Sequence, residues 1–182
     1  MRQVIDAQED RIHVMQGGCY VTDSPDVMLT TVLGSCVSAC MRDPIAGVGG
    51  MNHFLLPGMK TPGEAQATQS YGIYLMEVLV NELLKRGGRR ERLEANLFGG
   101  AKMIPGLADV GAKNAEFAVN FLKAEGIGYK GGSLRGEQGR RVHFWPTTGR
   151  ARQKFVQGHE PSKPVGRVAK PLDVSSGDVE LF

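Results

Sequence analysis

The sequence predicts a single α+β domain with a flexible C-terminal tail. Three observations carry this. A chain of 182 residues with 41% apolar content fits one core-bearing domain without disulfides or structural metals. Strand-like runs are mixed with two helix-spaced segments, without the regular strand–helix alternation of a doubly wound sheet. After about residue 158 apolar periodicity fades and Gly, Pro, Ser, Lys and Asp take over. The expected boundaries are 1–157 for the domain and 158–182 for the tail.

Taken in order, apolar segments at residues 12–15 and 27–32 flank the turn-forming Thr22-Asp23-Ser24-Pro25. Residues 32–41 read as one β-rich run containing Gly34, broken by Asp43-Pro44. A second run over 48–56 stops at Pro57-Gly58. Residues 60–69 are polar and read as a surface loop. Tyr71, Tyr74, Leu75, Val78, Leu79 and Leu83 then fall at helical spacing, with Ser70 as a cap and Gly87-Gly88 as the stop. A strand over 94–98 precedes Gly99-Gly100, and a second helix fits 114–125, with Gly126 as its stop. Strands at 127–129 and 141–145 follow, and a turn at Pro146-Thr147-Thr148-Gly149 leads into 150–156.

The formal charge of +3 is too small to suggest nucleic-acid binding. The basic residues are scattered at Lys85-Arg86, Arg89-Arg90, Arg92, Arg140-Arg141 and residues 150–154, and read as solvated surface. The start, Met1-Arg2-Gln3-Val4-Ile5-Asp6, has no apolar leader core, and no run approaches the roughly 18–20 apolar residues of a membrane span. A cytoplasmic protein with no direct membrane insertion is expected. Cys19, Cys36 and Cys40 are too few for a disulfide framework. On an extended strand Cys36 and Cys40 lie about 13 Å apart, beyond disulfide reach.

The segment Gly34-Ser35-Cys36 is the richest in chemistry. Small residues before a cysteine permit a sharp turn and leave peptide N–H groups free to face a developing oxyanion. In isolation the tripeptide is more often a core cysteine after a bulge. A tight turn centred between Pro44 and Ile45 changes the weighting, because it sets Cys36 directly opposite His53 on one face of a hairpin. Thr30, six residues before Cys36, carries a hydroxyl that could orient the imidazole, although spacing alone makes it an ordinary strand threonine. His13, His143 and His159 have no comparable partner, and Cys19 and Cys40 read as packing residues.

Thr30, Leu33-Gly34-Ser35-Cys36-Val37, Cys40-Met41-Arg42-Asp43-Pro44, Gly50-Met51-Asn52-His53 and Leu55-Leu56-Pro57 closely resemble the core of CheD, the chemoreceptor glutamine deamidase family. The likeness continues through Asn96-Leu97-Phe98-Gly99-Gly100-Ala101-Lys102-Met103, Gly131-Gly132, Gly139-Arg140-Arg141-Val142 and Thr148-Gly149. The resemblance implies a β-sandwich with flanking helices, similar to the catalytic domain of cytotoxic necrotizing factor. It implies a protein-glutamine glutaminase with Cys36 as nucleophile, His53 as base and Thr30 orienting the imidazole; the turn before the cysteine adds Gly34 and Ser35 beside the substrate and its oxyanion. No cofactor or metal is implied. Chemoreceptor cytoplasmic domains are the implied substrates, and a CheC-type phosphatase is a further candidate partner of a monomer or hetero-complex. Two rival readings are a non-catalytic chemotaxis adaptor and a cysteine hydrolase acting on another amide or ester.

Overall fold

The computed structural model describes residues 10–56, 58, 61–157 and 166–169. Among the described residues, ten strands form two five-stranded sheets, and two α-helices pack on one of them. The first sheet contains β1 (Asp10–Val14), β3 (Val27–Leu33), β8 (Gly139–Trp145), β9 (Arg150–Val156) and β10 (Arg167–Ala169), in the order β10-β1-β3-β8-β9. The second contains β2 (Cys19–Thr22), β4 (Val37–Asp43), β5 (Val48–Asn52), β6 (Glu94–Gly99) and β7 (Gly128–Leu134), in the order β2-β5-β4-β6-β7. The α+β expectation holds.

Alternation along β4 explains the layers. Val37, Ala39 and Met41 face the helices and join Leu75, Leu79, Leu83, Ala115 and Leu122 in one core. Cys40 faces the other sheet and packs with Leu29, Leu33, Met51, Val142 and Phe144 in a second core. The run expected over 32–41 is therefore two strands in different sheets. Gly34-Ser35-Cys36 is the crossover between them, which puts the cysteine at the seam of the sandwich.

Helix α1 (Pro62–Lys85) begins well before the expected Ser70. Thr61 caps it in a reciprocal capping box: its hydroxyl accepts from the Glu64 N–H, while the Glu64 carboxylate accepts from the Thr61 N–H. Residues from Thr61 to Gln69 are thus helix and cap rather than loop. Helix α2 (Val110–Ala124) is capped by Asp109, whose carboxylate accepts from the Ala112 N–H at 2.8 Å.

The β4–β5 hairpin corrects the expected register. Cys40 pairs with Met51, Asp43 with Val48, and an isolated bridge joins Val37 to Phe54. The loop spans Pro44 to Gly47 because the Asp43 carboxylate accepts from the N–H groups of Ile45 and Ala46 at 2.9 and 3.0 Å. Gly47 closes it at φ +68°. Cys36 is therefore not directly opposite His53. It precedes Val37, His53 precedes Phe54, and the two are diagonal neighbours sharing a face. The displacement is an even number of residues, so the shared face survives.

Part of the expected tail is ordered: β10 pairs parallel to β1, with Ile12 against Arg167 and Val14 against Ala169. The rest of the proposed tail, including His159, lies outside the described residues, as do Met1 to Asp6. Several basic residues expected on the solvated surface are tied to carboxylates. Arg90 bridges Glu77 and Glu125, Arg86 meets Asp23, and Arg92 meets the fully buried Asp43 at 2.6 Å. No described helix is long and apolar enough to cross a membrane.

Candidate active site

The crossover loop is held from one side by its carbonyls. The Gly34 carbonyl accepts from the Ala101 N–H at 2.9 Å, Ser35 from Asn114 Nδ2 at 2.9 Å, and Cys36 from the Gly100 N–H at 2.7 Å. Gly99 is required here. It adopts φ +106°, and a Cβ on it would lie 2.1 Å from the Cys36 carbonyl oxygen. Gly99-Gly100 therefore border the site. Gly34 carries the Met103 side chain, whose Cγ would be 3.1 Å from an added Cβ.

Asn114 was not singled out from the sequence. Fully buried on α2, it donates to the Ser35 carbonyl and accepts from the Leu56 N–H at 3.0 Å. One side chain thus ties the Cys36 loop to the segment that follows His53. No local sequence signal identifies it, because its two partners lie 79 and 58 residues away.

His53 is 7% exposed. Its backbone is strapped by the β1–β2 turn: the Gly17 N–H donates to the His53 carbonyl at 2.7 Å, and the His53 N–H donates to the Gly18 carbonyl at 3.1 Å. Its Nδ1 lies 2.8 Å from Thr31 Oγ1 and 3.4 Å from the Val14 carbonyl. The Thr31 hydroxyl donates its one proton to the Val14 carbonyl at 2.8 Å. It therefore accepts from the imidazole, and Nδ1 carries the ring proton. That leaves Nε2 unprotonated, buried and without a partner.

The residue against the imidazole is thus Thr31, not the expected Thr30. Strand alternation is the reason. Leu29, Thr31 and Leu33 point between the sheets, where His53 sits, while Thr30 points to the opposite face. Thr30 is buried there, and its hydroxyl has no partner.

Cys36 is partly exposed, and its thiol donates to the Gln16 carboxamide oxygen at 3.6 Å. Burial pushes its pKa up to about 11, partly opposed by its own N–H, which lies against the sulfur. Burial pulls His53 down to about 4, opposed by the Val14 carbonyl and reinforced by His13. At neutral pH the pair is therefore thiol and neutral imidazole, not thiolate and imidazolium. Burial raises the other two thiols to about 12, with Glu82 adding to the shift at Cys19 and a Ser38 hydrogen bond opposing it at Cys40. All three cysteines are free.

Fold and site together define a two-sheet α+β domain with a partly exposed thiol on a crossover loop and a buried imidazole held by Thr31. The family model for CheD chemotactic sensory transduction matches residues 55–155. A probable chemoreceptor glutamine deamidase CheD of Agrobacterium fabrum is 50% identical over 98% of this chain and 100% of its own length. One from Caulobacter vibrioides is 54% identical over 94% of this chain and 93% of its own. This chain belongs to the CheD family. The family model begins after His53, whereas the relatives extend the match across nearly the whole chain. Among solved structures, a Neisseria meningitidis protein of family model DUF152 aligns at TM-score 0.47 and 9% identity, covering 70% of this chain and 64% of that one.

Proposed function

We propose that this protein hydrolyses glutamine side-chain amides of chemoreceptor cytoplasmic domains to glutamate, in bacterial chemotaxis. The observation that carries the reading is the Thr31–His53 pair, which leaves an unprotonated ring nitrogen free in the seam that also holds Cys36. The names of the relatives supply the substrate class.

In the first half-reaction Cys36 Sγ bonds to the amide carbon as His53 Nε2 takes the thiol proton. The Cys36 N–H, which lies against the sulfur, serves in this reading as an oxyanion donor together with the Gly34-Ser35 backbone. The C–N bond then breaks, and Nε2 gives its proton to the departing ammonia. In the second half Nε2 takes a proton from water, which attacks the thioester. Glutamate forms and Cys36 leaves with its proton restored. One water is consumed and one ammonia released, with no cofactor or metal. The family resemblance extends the proposal to a CheC-type phosphatase as a second partner.

The test is ammonia release from a receptor cytoplasmic domain, followed across pH. The base works only when neutral, and burial holds His53 near 4 rather than 6.5. Activity should therefore persist as pH falls through 6.5 and be lost only near 4. An acid limb at 6.5 would remove the buried His53 from the mechanism, and no ammonia from a folded receptor would favour a binding protein.

The two threonines separate cleanly. Thr31→Val should lower kcat by at least about tenfold, part of the ~10²–10⁴ that a positioned base contributes. Thr30→Val removes a buried hydroxyl without a partner, so activity should be retained and stability unchanged or raised. Steady-state kinetics and denaturant unfolding of both variants check this.

A further inference from the structure

Gln16 sits exposed on the turn in which the Gly18 N–H donates to the Met15 carbonyl at 2.8 Å. The same turn straps the His53 backbone on both sides, so its position is fixed relative to the site. From there the Gln16 carboxamide accepts the Cys36 S–H at 3.6 Å. His53 Nε2, the acceptor that catalysis needs for that proton, has no partner. The thiol is thus engaged by a glutamine carboxamide, the functional group the proposed reaction consumes, and is turned from its base.

The contact is not a reacting geometry. Attack needs sulfur facing the carbonyl carbon at roughly 3–3.5 Å, with the base on the thiol proton. Here the proton points at the carboxamide oxygen, and no base is engaged. Gln16 therefore occupies the position without being turned over.

We propose that Gln16 is a resident carboxamide in the substrate's own carboxamide subsite, and that an incoming glutamine must displace it before Cys36 turns to His53. The identity of the subsite rests on the deamidase reading. The contact also makes the site selective: only a carboxamide that binds better than the tethered one releases the thiol.

The experiment compares wild type with Gln16→Ala. Iodoacetamide, itself a primary carboxamide, is reacted at neutral pH, and Cys36 labelling is followed by peptide mass so that Cys19 does not interfere. Loss of a weak hydrogen bond should speed Cys36 labelling by about two- to fivefold, and the KM for a receptor domain should fall. Because Gln16 is exposed on a turn, the variant should melt with the wild type. Unchanged labelling would overturn the proposal. Slower labelling would also overturn it, making Gln16 a donor that assists the thiol. If neither protein deamidates any receptor, the functional reading fails, while the labelling ratio still decides whether Gln16 occupies the thiol.

Discussion

Replacing Cys36 with alanine should leave a folded protein and abolish glutamine hydrolysis, a loss on the order of 10⁶-fold. The two halves of this expectation rest on different atoms. The crossover loop is held through the carbonyls of Gly34, Ser35 and Cys36, none of which belongs to the thiol. The side chain is partly exposed and packs against the inter-sheet core only from its edge, so truncating it opens no enclosed cavity. Neither other thiol is placed to substitute, since Cys40 is enclosed between the sheets and Cys19 packs against the helix-side core. Ammonia release and the unfolding midpoint, measured on the same preparation, check the pair. Retained turnover would place the nucleophile elsewhere.

Asp43→Ala should cost about 3–5 kcal/mol of stability, because it leaves a cation and several N–H groups without their buried partner. The Asp43 carboxylate is fully buried and accepts from Ile45, Ala46 and Arg89 N–H groups and from the Arg92 guanidinium. Burial by itself would raise its pKa, but these donors outweigh it and hold the group at about 2. The sign follows from linkage: the stabilisation is fully present above about 3.8 and is lost as pH falls toward 2. Denaturant unfolding of wild type should weaken across that window, and the variant should not show this component. Because Asp43 sets the hairpin loop, the surviving folded fraction should also lose activity through misplacement of His53 against Cys36. An effect under about 1 kcal/mol, within the range of an exposed ion pair, would contradict this account.

Much of this architecture was legible in the sequence. Apolar periodicity located both helices and most strands, and the residue types at Cys36 and His53 pointed to thiol chemistry. Periodicity has no information about which sheet a strand joins, so residues 32–41 read as one run although the crossover divides them. The early start of α1 was written in Thr61-Pro62-Gly63-Glu64, a capping box masked by the polar residues that follow. Thr31 could also have been read from the sequence. Once Leu29 and Leu33 are taken as inward, alternation excludes Thr30. The hairpin register was out of reach from turn length alone, because the Asp43 side chain selects a four-residue loop. Gln16 and Asn114 enter the site through long-range folding, with partners 20 or more residues away, and nothing local marks them.

The most direct test of the central claim is the intact mass of a purified receptor cytoplasmic domain after incubation with this protein and with its Cys36→Ala variant. Conversion of an amide to an acid should add about one mass unit per modified glutamine with the wild type and none with the variant, by the stoichiometry of cysteine-dependent hydrolysis. No mass change in a well-folded receptor from the same organism, or an equal gain with the variant, would contradict it.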